Sequence, residues 1–101
     1  MTKAEIRHQD AVREIGCIAC LPDLWSPAEI HHVLSGGRRK SEYDVIGLCQ
    51  QHHRGGRNDE HCVSRHPWRK AFEARYGTEA ELLAETQRRV AEMRGQLVGA
   101  I

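Results

Sequence analysis

In residues 3–15 the apolar side chains Ile6, Val12 and Ile15 stand among charged and polar ones, and Gly16 ends the run. That sparse apolar edge predicts a helix that packs on the rest of the chain through one side only. Cys17-Ile-Ala-Cys20 follows as a tight knuckle, and Pro22 and Pro27 mark a loop. The run AEIHHVL over 28–34 predicts a short strand and DVIGL over 44–48 a returning one. Between them, SGGRRKSEY reads as a flexible basic connection, longer than the usual hairpin loop.

Residues 53–65 carry Gly, Asn, Asp and Arg without periodicity and read as a loop. Pro67 suits the first position of a helix, with His66 as its cap. That helix, Trp68 to Tyr76, stops at Gly77. Trp68, Phe72 and Tyr76 recur every four residues on one face, a pattern of core packing rather than base stacking. Thr78-Glu79-Ala80-Glu81 is a capping box that opens a last helix. Its apolar stripe is Leu82, Leu83, Thr86, Val90, Met93 and Leu97. Helices flanking a two-stranded hairpin make the class α+β.

With 101 residues the chain is long enough for one domain and not two. Its five aromatic residues allow only a modest core, and domains of this size often need a metal or disulfide staple. Four cysteines and seven histidines are therefore the residues to examine. The first sixteen residues are charged and lack the apolar core of a signal peptide, and no long apolar span is present. A cytoplasmic setting without membrane association is expected, where paired cysteines serve as metal ligands or redox groups rather than as disulfides. The formal net charge is +1. The bases Arg38, Arg39, Lys40, Arg54, Arg57, Arg65, Arg69, Lys70 and Arg75 nevertheless outnumber the acids between His31 and Tyr76, while the flanks are acidic. A basic middle is a modest electrostatic pointer to a polyanion.

Cys17-x2-Cys20 and Cys49-x2-His52 lie on either side of the predicted hairpin. Two such pairs supply four ligands to a closed tetrahedral Zn²⁺ site, whose binding contributes folding free energy. Cys62 is left over, either as a substitute for His52 or as an inert thiol. A redox pair at Cys17 and Cys20 would want a βαβ setting, which the pattern lacks. The remaining His31, His32, His53, His61 and His66 are spare imidazoles beside a basic loop. They point to a second metal with open coordination positions.

The order Cys-x2-Cys, EIHHV, Gly-rich loop, DVIGLC-x2-HH resembles the zinc-containing His-Asn-His endonucleases. IHH, LCQQHHRGG and FEARYGTEAELL narrow the likeness to the phage recombination-enhancement (RecA-dependent) nucleases, over about residues 10–90. The resemblance implies a ββα-metal (His-Me finger) core over 17–76 with structural zinc at Cys17, Cys20, Cys49 and His52. Helices at 1–16 and 78–98 would flank it within a single domain spanning 1–101. It implies that His31 and His53 bind a catalytic divalent metal and that His32 is the general base. Cleavage would leave 5′-phosphate and 3′-hydroxyl ends, in phage or bacterial recombination. Asp44 stands five residues before Cys49, where the family usually carries Asn. It either braces His32 as a carboxylate–histidine pair or marks a position that has drifted. Arg57 occupies the place of the family's usual further histidine, so His66, with His61 as alternative, is the expected third ligand. Arg38, Arg39, Lys40 and Arg54 are expected to hold DNA phosphates. The catalytic ion is open between Mg²⁺, Mn²⁺ and Zn²⁺, and a RecA-type filament is the expected partner, although no long basic N-terminal arm is present to grip one. Consecutive strand residues face opposite ways, so His31 and His32 share one site only where the strand ends, bends or bulges. The rival readings are a non-catalytic zinc module that binds DNA or protein, and a thiol redox protein.

Overall fold

The computed structural model describes residues 1–39 and 41–99, in the order α1 (Lys3–Ile15), β1 (Glu29–His32), β2 (Leu34–Ser35), β3 (Arg38–Arg39), β4 (Val45–Leu48), α2 (Gln50–Arg54), α3 (Arg69–Tyr76) and α4 (Glu79–Gly99). The class is α+β, as expected. No helix among the described residues is long and apolar enough to cross a membrane.

Thr2 starts α1 with a reciprocal capping box: its hydroxyl accepts from the Glu5 N–H at 3.1 Å, and the Glu5 carboxylate accepts from the Thr2 N–H at 2.7 Å. Gly16 ends it at φ 86°, where a Cβ would lie 2.7 Å from the Ser26 carbonyl oxygen. The buried side of α1 differs from the apolar edge read in the sequence. Val12 is fully buried, but Ile6 is exposed, and His8 and Gln9 fill the rest of the face. Polar side chains take those positions because they have partners there, His8 on the Tyr43 carbonyl and Gln9 on Glu42.

β1 and β4 pair antiparallel, with Glu29 opposite Leu48 and His32 opposite Val45. All of β4 is buried, because α1 and α4 both pack against it. The connection read as flexible is itself a small hairpin. β2 and β3 pair through Leu34–Arg39 and Ser35–Arg38 around Gly36 and Gly37, at φ 61° and 77°. Two left-handed residues make the tight turn that matches strand twist, and Gly-Gly supplies both without a Cβ penalty.

Cys49 leads directly into α2, whose last two residues are His53 and Arg54. The loop to α3 folds back on itself: Asp59 accepts from the His61 and Cys62 N–H groups, and Asn58 bridges Val63. It is then pinned to α2, since the Arg65 and His66 N–H groups donate to the His52 and His53 carbonyls at 2.7 and 2.9 Å. That pinning changes the expected start of α3. The His66–Pro67 peptide is cis and α3 begins at Arg69, so Pro67 is not its first residue and His66 not its cap. Trp68 is consequently exposed, whereas Phe72 is fully buried and Tyr76 half-buried.

Thr78 and Glu81 form the expected capping box at the start of α4. Leu82, Thr86 and Val90 are buried, and Leu83 and Met93 are half-buried. The Leu97 side chain falls outside the described residues. The core divides into Cys17, Ile18, Ile46, Leu48, Val63, Phe72 and Leu82 near the cysteines, and Val12, Val45 and Val90 between α1 and α4.

Gly47 is a tight point of the sheet packing: a Cβ there would lie 2.8 Å from both the Ala28 Cβ and the Gly16 carbonyl oxygen. The Gly47→Ala variant is expected to lose about 1–3 kcal/mol through overpacking against backbone that cannot withdraw. Chemical denaturation of the metal-loaded protein checks this, and an unchanged midpoint would mean that β1 yields.

Candidate metal centres

The first centre is assembled from two turns. After α1, the Cys20 N–H donates to the Cys17 carbonyl at 3.2 Å, folding the knuckle, and the Ile18 N–H ties it to the Gly47 carbonyl at 2.9 Å. At the other end of β4, Cys49 precedes α2 and His52 lies within it. The ligand atoms of Cys17, Cys20, Cys49 and His52 all lie within 4.8 Å of one another. His52 Nδ1 is 3.5, 3.4 and 3.2 Å from the sulfurs of Cys17, Cys20 and Cys49, and the Cys20 and Cys49 sulfurs are 3.9 Å apart. A tetrahedral ion with Zn–S near 2.3 Å and Zn–N near 2.1 Å sets edges of roughly 3.8 Å for S···S and 3.6 Å for S···N. The donor set and its spacing therefore fit an ion such as Zn²⁺. Cys62 is buried but outside the four, so the fold gathers His52 and not Cys62 with the three other cysteines.

Burial pushes the Cys17 thiol up to about 12, and the neighbouring sulfurs of Cys49 and Cys20 oppose its ionisation as well. Binding of a cation accordingly releases protons. Burial also lowers the basicity of His52, aided by Arg75 and Arg57, which keeps the imidazole neutral and able to ligate. Its Nε2–H donates to the Tyr76 hydroxyl oxygen at 3.0 Å, which accepts a second hydrogen bond from the Val63 N–H at 3.2 Å. Tyr76 thus fixes the ring through the nitrogen that does not ligate.

The second cluster gathers His31 from β1, His53 from α2 and His66 from the turn pinned to α2. His31 Nδ1 and His53 Nε2 face each other at 3.2 Å, and the His66 ring centre lies 5.5 and 5.3 Å from those of His31 and His53. Two nitrogens bound to one ion at about 2.1 Å are separated by roughly 3.0–3.4 Å. Each of the two facing rings is buttressed by an acid. His31 Nε2 meets Glu79 at 3.1 Å and His53 Nδ1 meets Glu29 at 2.9 Å.

Hydrogen bonds from Arg54 and His53 hold the Glu29 carboxyl down at about 2. Burial pushes the Glu79 carboxyl up, but the hydrogen bonds from His31 and Arg65 outweigh it and bring it to about 2. Both are therefore carboxylates, which only accept, so the proton of each imidazole sits on the nitrogen facing the acid. The other nitrogens, His31 Nδ1 and His53 Nε2, turn lone pairs toward the same point, and this carboxylate–histidine arrangement is the one that prepares metal ligands. Burial keeps His66 below its ordinary value and neutral. His61 is three-quarters exposed and beside Glu60, away from the cluster. Between the two expected third ligands, the fold brings in His66.

The two adjacent histidines diverge. His31 turns toward α2 and the start of α4, whereas His32 Nε2 meets Glu42 at 2.9 Å, and the Gln9 amide donates to the same carboxylate at 2.9 Å. These hydrogen bonds, His32 first and Gln9 second, hold Glu42 below its usual range. The expected contact of Asp44 with His32 is not formed. The Asp44 carboxylate accepts instead from Gln87 on α4 at 3.4 Å, because the Asp44 carbonyl is fixed by the Val33 N–H and Glu42 already covers the imidazole. Among the expected phosphate contacts, Arg38 and Arg39 are exposed on β3, and Lys40 lies outside the described residues. Arg54 is half-committed: its Nε and Nη2 grip Glu29 at 3.0 and 2.7 Å.

The family model described as "Recombination enhancement, RecA-dependent nuclease" matches residues 1–92. The chain belongs to this family. No curated protein and no solved structure gives a significant match. The matched stretch contains both clusters and the first two-thirds of α4, so every ligand described above lies inside it. The family's description implies a nuclease of recombination, with DNA as substrate and RecA involved.

Sequence reasoning missed the acids and the phenol around the ligands. Glu29 is two residues before His31 and so on the same face of β1, a signal that was there to read. Glu79, Arg65 and Tyr76 have no such local signature.

Tyr76→Phe is expected to keep one ion per chain at the cysteine site but to weaken its binding about 10-fold or more. Competition against a chromophoric chelator measures this, with native mass spectrometry for stoichiometry. Equal affinity would remove Tyr76 from that role.

Proposed function

We propose that this family member is a metal-dependent DNA endonuclease of the His-Asn-His (ββα-metal) type, with a structural Zn²⁺ at Cys17, Cys20, Cys49 and His52. The observation that carries the reading is the trio His31, His53 and His66, two of whose rings are oriented by buttressing carboxylates toward one point. Three imidazoles suit Zn²⁺ better than Mg²⁺ or Mn²⁺, which prefer oxygen ligands.

An ion held by this trio supplies electrostatic stabilisation of the charge that develops on the leaving 3′ oxygen. His32 is the general base. The water oxygen forms its bond to phosphorus as its proton passes to His32, and the P–O3′ bond breaks with its electron pair on the 3′ oxygen, which takes a proton from solvent. The exposed Arg38 and Arg39, with Lys40 next to them in sequence and the Nη1 of Arg54, which has no partner among the described residues, hold neighbouring phosphates, giving salt-sensitive and sequence-tolerant affinity. The substrate is DNA engaged by a RecA-type filament in the cytoplasm of a bacterial host.

Supercoiled plasmid, alone or paired with a RecA-coated single strand, is the substrate for the test, with Mg²⁺, Mn²⁺ or Zn²⁺ added. Divalent-dependent nicking is expected from the wild type. His53→Ala should lose it by about 100-fold or more while the ion at the cysteines stays in place, and His32→Ala should lose about 10²–10⁴-fold. Intact plasmid under every condition would leave a zinc-stapled binding module as the better reading.

A further inference from the structure

We propose that Glu42, clamped by Gln9 of α1, is the positioning residue of the general base; the inference rests on the reading of His32 as that base. Glu42 was not among the residues expected to matter, and the acid expected beside His32, Asp44, is engaged elsewhere.

The clamp is built from buried parts. Gln9 is 3% exposed, and its side-chain amide donates to two oxygens of Glu42, the main-chain carbonyl at 3.0 Å and Oε2 at 2.9 Å. His8, adjacent on α1 and also buried, holds the next carbonyl, that of Tyr43, at 3.1 Å. A buried amide and a buried imidazole on one helix face cost stability unless paired. Here both are spent on fixing residues 42 and 43. The carboxylate oxygen that Gln9 fixes is also the one that meets His32 Nε2 at 2.9 Å.

The consequence for His32 is a single tautomer and a single ring orientation. A carboxylate only accepts, so Nε2 carries the proton and Nδ1 the lone pair. Among the described residues Nδ1 has no hydrogen-bond partner, and the His32 side chain keeps 15% of its surface exposed. That is the nitrogen a water molecule can approach. Removing Glu42 leaves the ring to choose between tautomers and rotamers, and only one combination presents a lone pair at that place.

The test compares Glu42→Ala, Glu42→Gln and His32→Ala in plasmid nicking, with ¹⁵N NMR of the imidazoles in the metal-loaded protein. Glu42→Ala is expected to lower kcat about 10- to 100-fold, as loss of such an outer partner does, with KM within about twofold of wild type. Glu42→Gln, which keeps an acceptor oxygen without the charge, should recover part of that loss. The His32 ring nitrogens should report the Nε2–H form in the wild type and a mixture in Glu42→Ala. If His32→Ala nicks like the wild type, the reading of His32 as base falls, and the positioning role with it. If His32→Ala is inactive but Glu42→Ala keeps wild-type kcat, or its tautomer is unchanged, the positioning role alone is overturned. The tautomer reading needs no turnover, so a misfolded variant or a silent nicking assay still leaves the wild-type spectrum to decide: the Nδ1–H form there would overturn the proposal.

Discussion

The cysteine site is the constraint on which the rest depends. It joins the turn after α1 to the far end of β4, and through Tyr76 it reaches α3. Phe72 is the largest side chain wholly buried, and the core around it is small. A structural zinc site contributes about 10–16 kcal/mol at neutral pH, as much as the whole net stability of an ordinary domain, about 5–15 kcal/mol. An ion in this position thus decides whether the surrounding elements stay together. It also decides where the second cluster lies. His52 and His53 are consecutive residues of a five-residue helix, so seating His52 on the first centre aims His53 at the second.

Electrostatics extend that order outward. Glu79 is 5% exposed and meets both His31 and Arg65, so the first residue of α4 is bound into the second cluster. Breaking one side of such a buried pair leaves a charge without compensation, a cost of about 3–5 kcal/mol. The same economy revises the meaning of the basic middle segment. Arg54, Arg57, Arg65 and Arg69 are each paired with an acid of the fold, Glu29, Asp59, Glu79 and Glu73 in turn. Much of the local excess of positive charge therefore serves the structure, and the β2–β3 turn carries the arginines most available to a polyanion.

The helices α1 and α4 were legible because capping residues and apolar spacing are local properties, and the cysteine–histidine cluster because C-x2-C and C-x2-H place two donors on one turn. What escaped depends on contacts distant in sequence. Glu79 is 48 residues from His31, and no local pattern announces such a pair. Pro67 misled because its preference for a helix start competes with the pinning of Arg65 and His66 to the carbonyls of α2. Of the two roles open to Asp44, bracing His32 is not the one it takes, because the contact is made by the carboxylate that the backbone aims at the ring, here Glu42. The Gly36-Gly37 hairpin was hidden by its length, since two strands of two residues give no alternation to count.

The divergence of His31 and His32 constrains the proposed chemistry, because a base and a metal ligand that serve one phosphate must both reach it at the strand end. In-line displacement at phosphorus places the attacking and leaving oxygens on opposite sides of the reacting atom. A base for the attacking water and a ligand for an ion at the leaving oxygen are then needed on opposite sides as well. Consecutive residues of an extended strand point to opposite faces by default, and β1 stops at His32, so both rings stand at the end of the strand rather than within it. Each ring also has its own carboxylate, Glu79 for His31 and Glu42 for His32, carried by different parts of the fold. Two neighbouring imidazoles are thereby held to the same tautomer, with the proton on Nε2 and the lone pair on Nδ1 in each, but aimed to opposite faces of the strand end. In the proposed scheme the two histidines form two half-sites at one strand terminus rather than a doubled ligand.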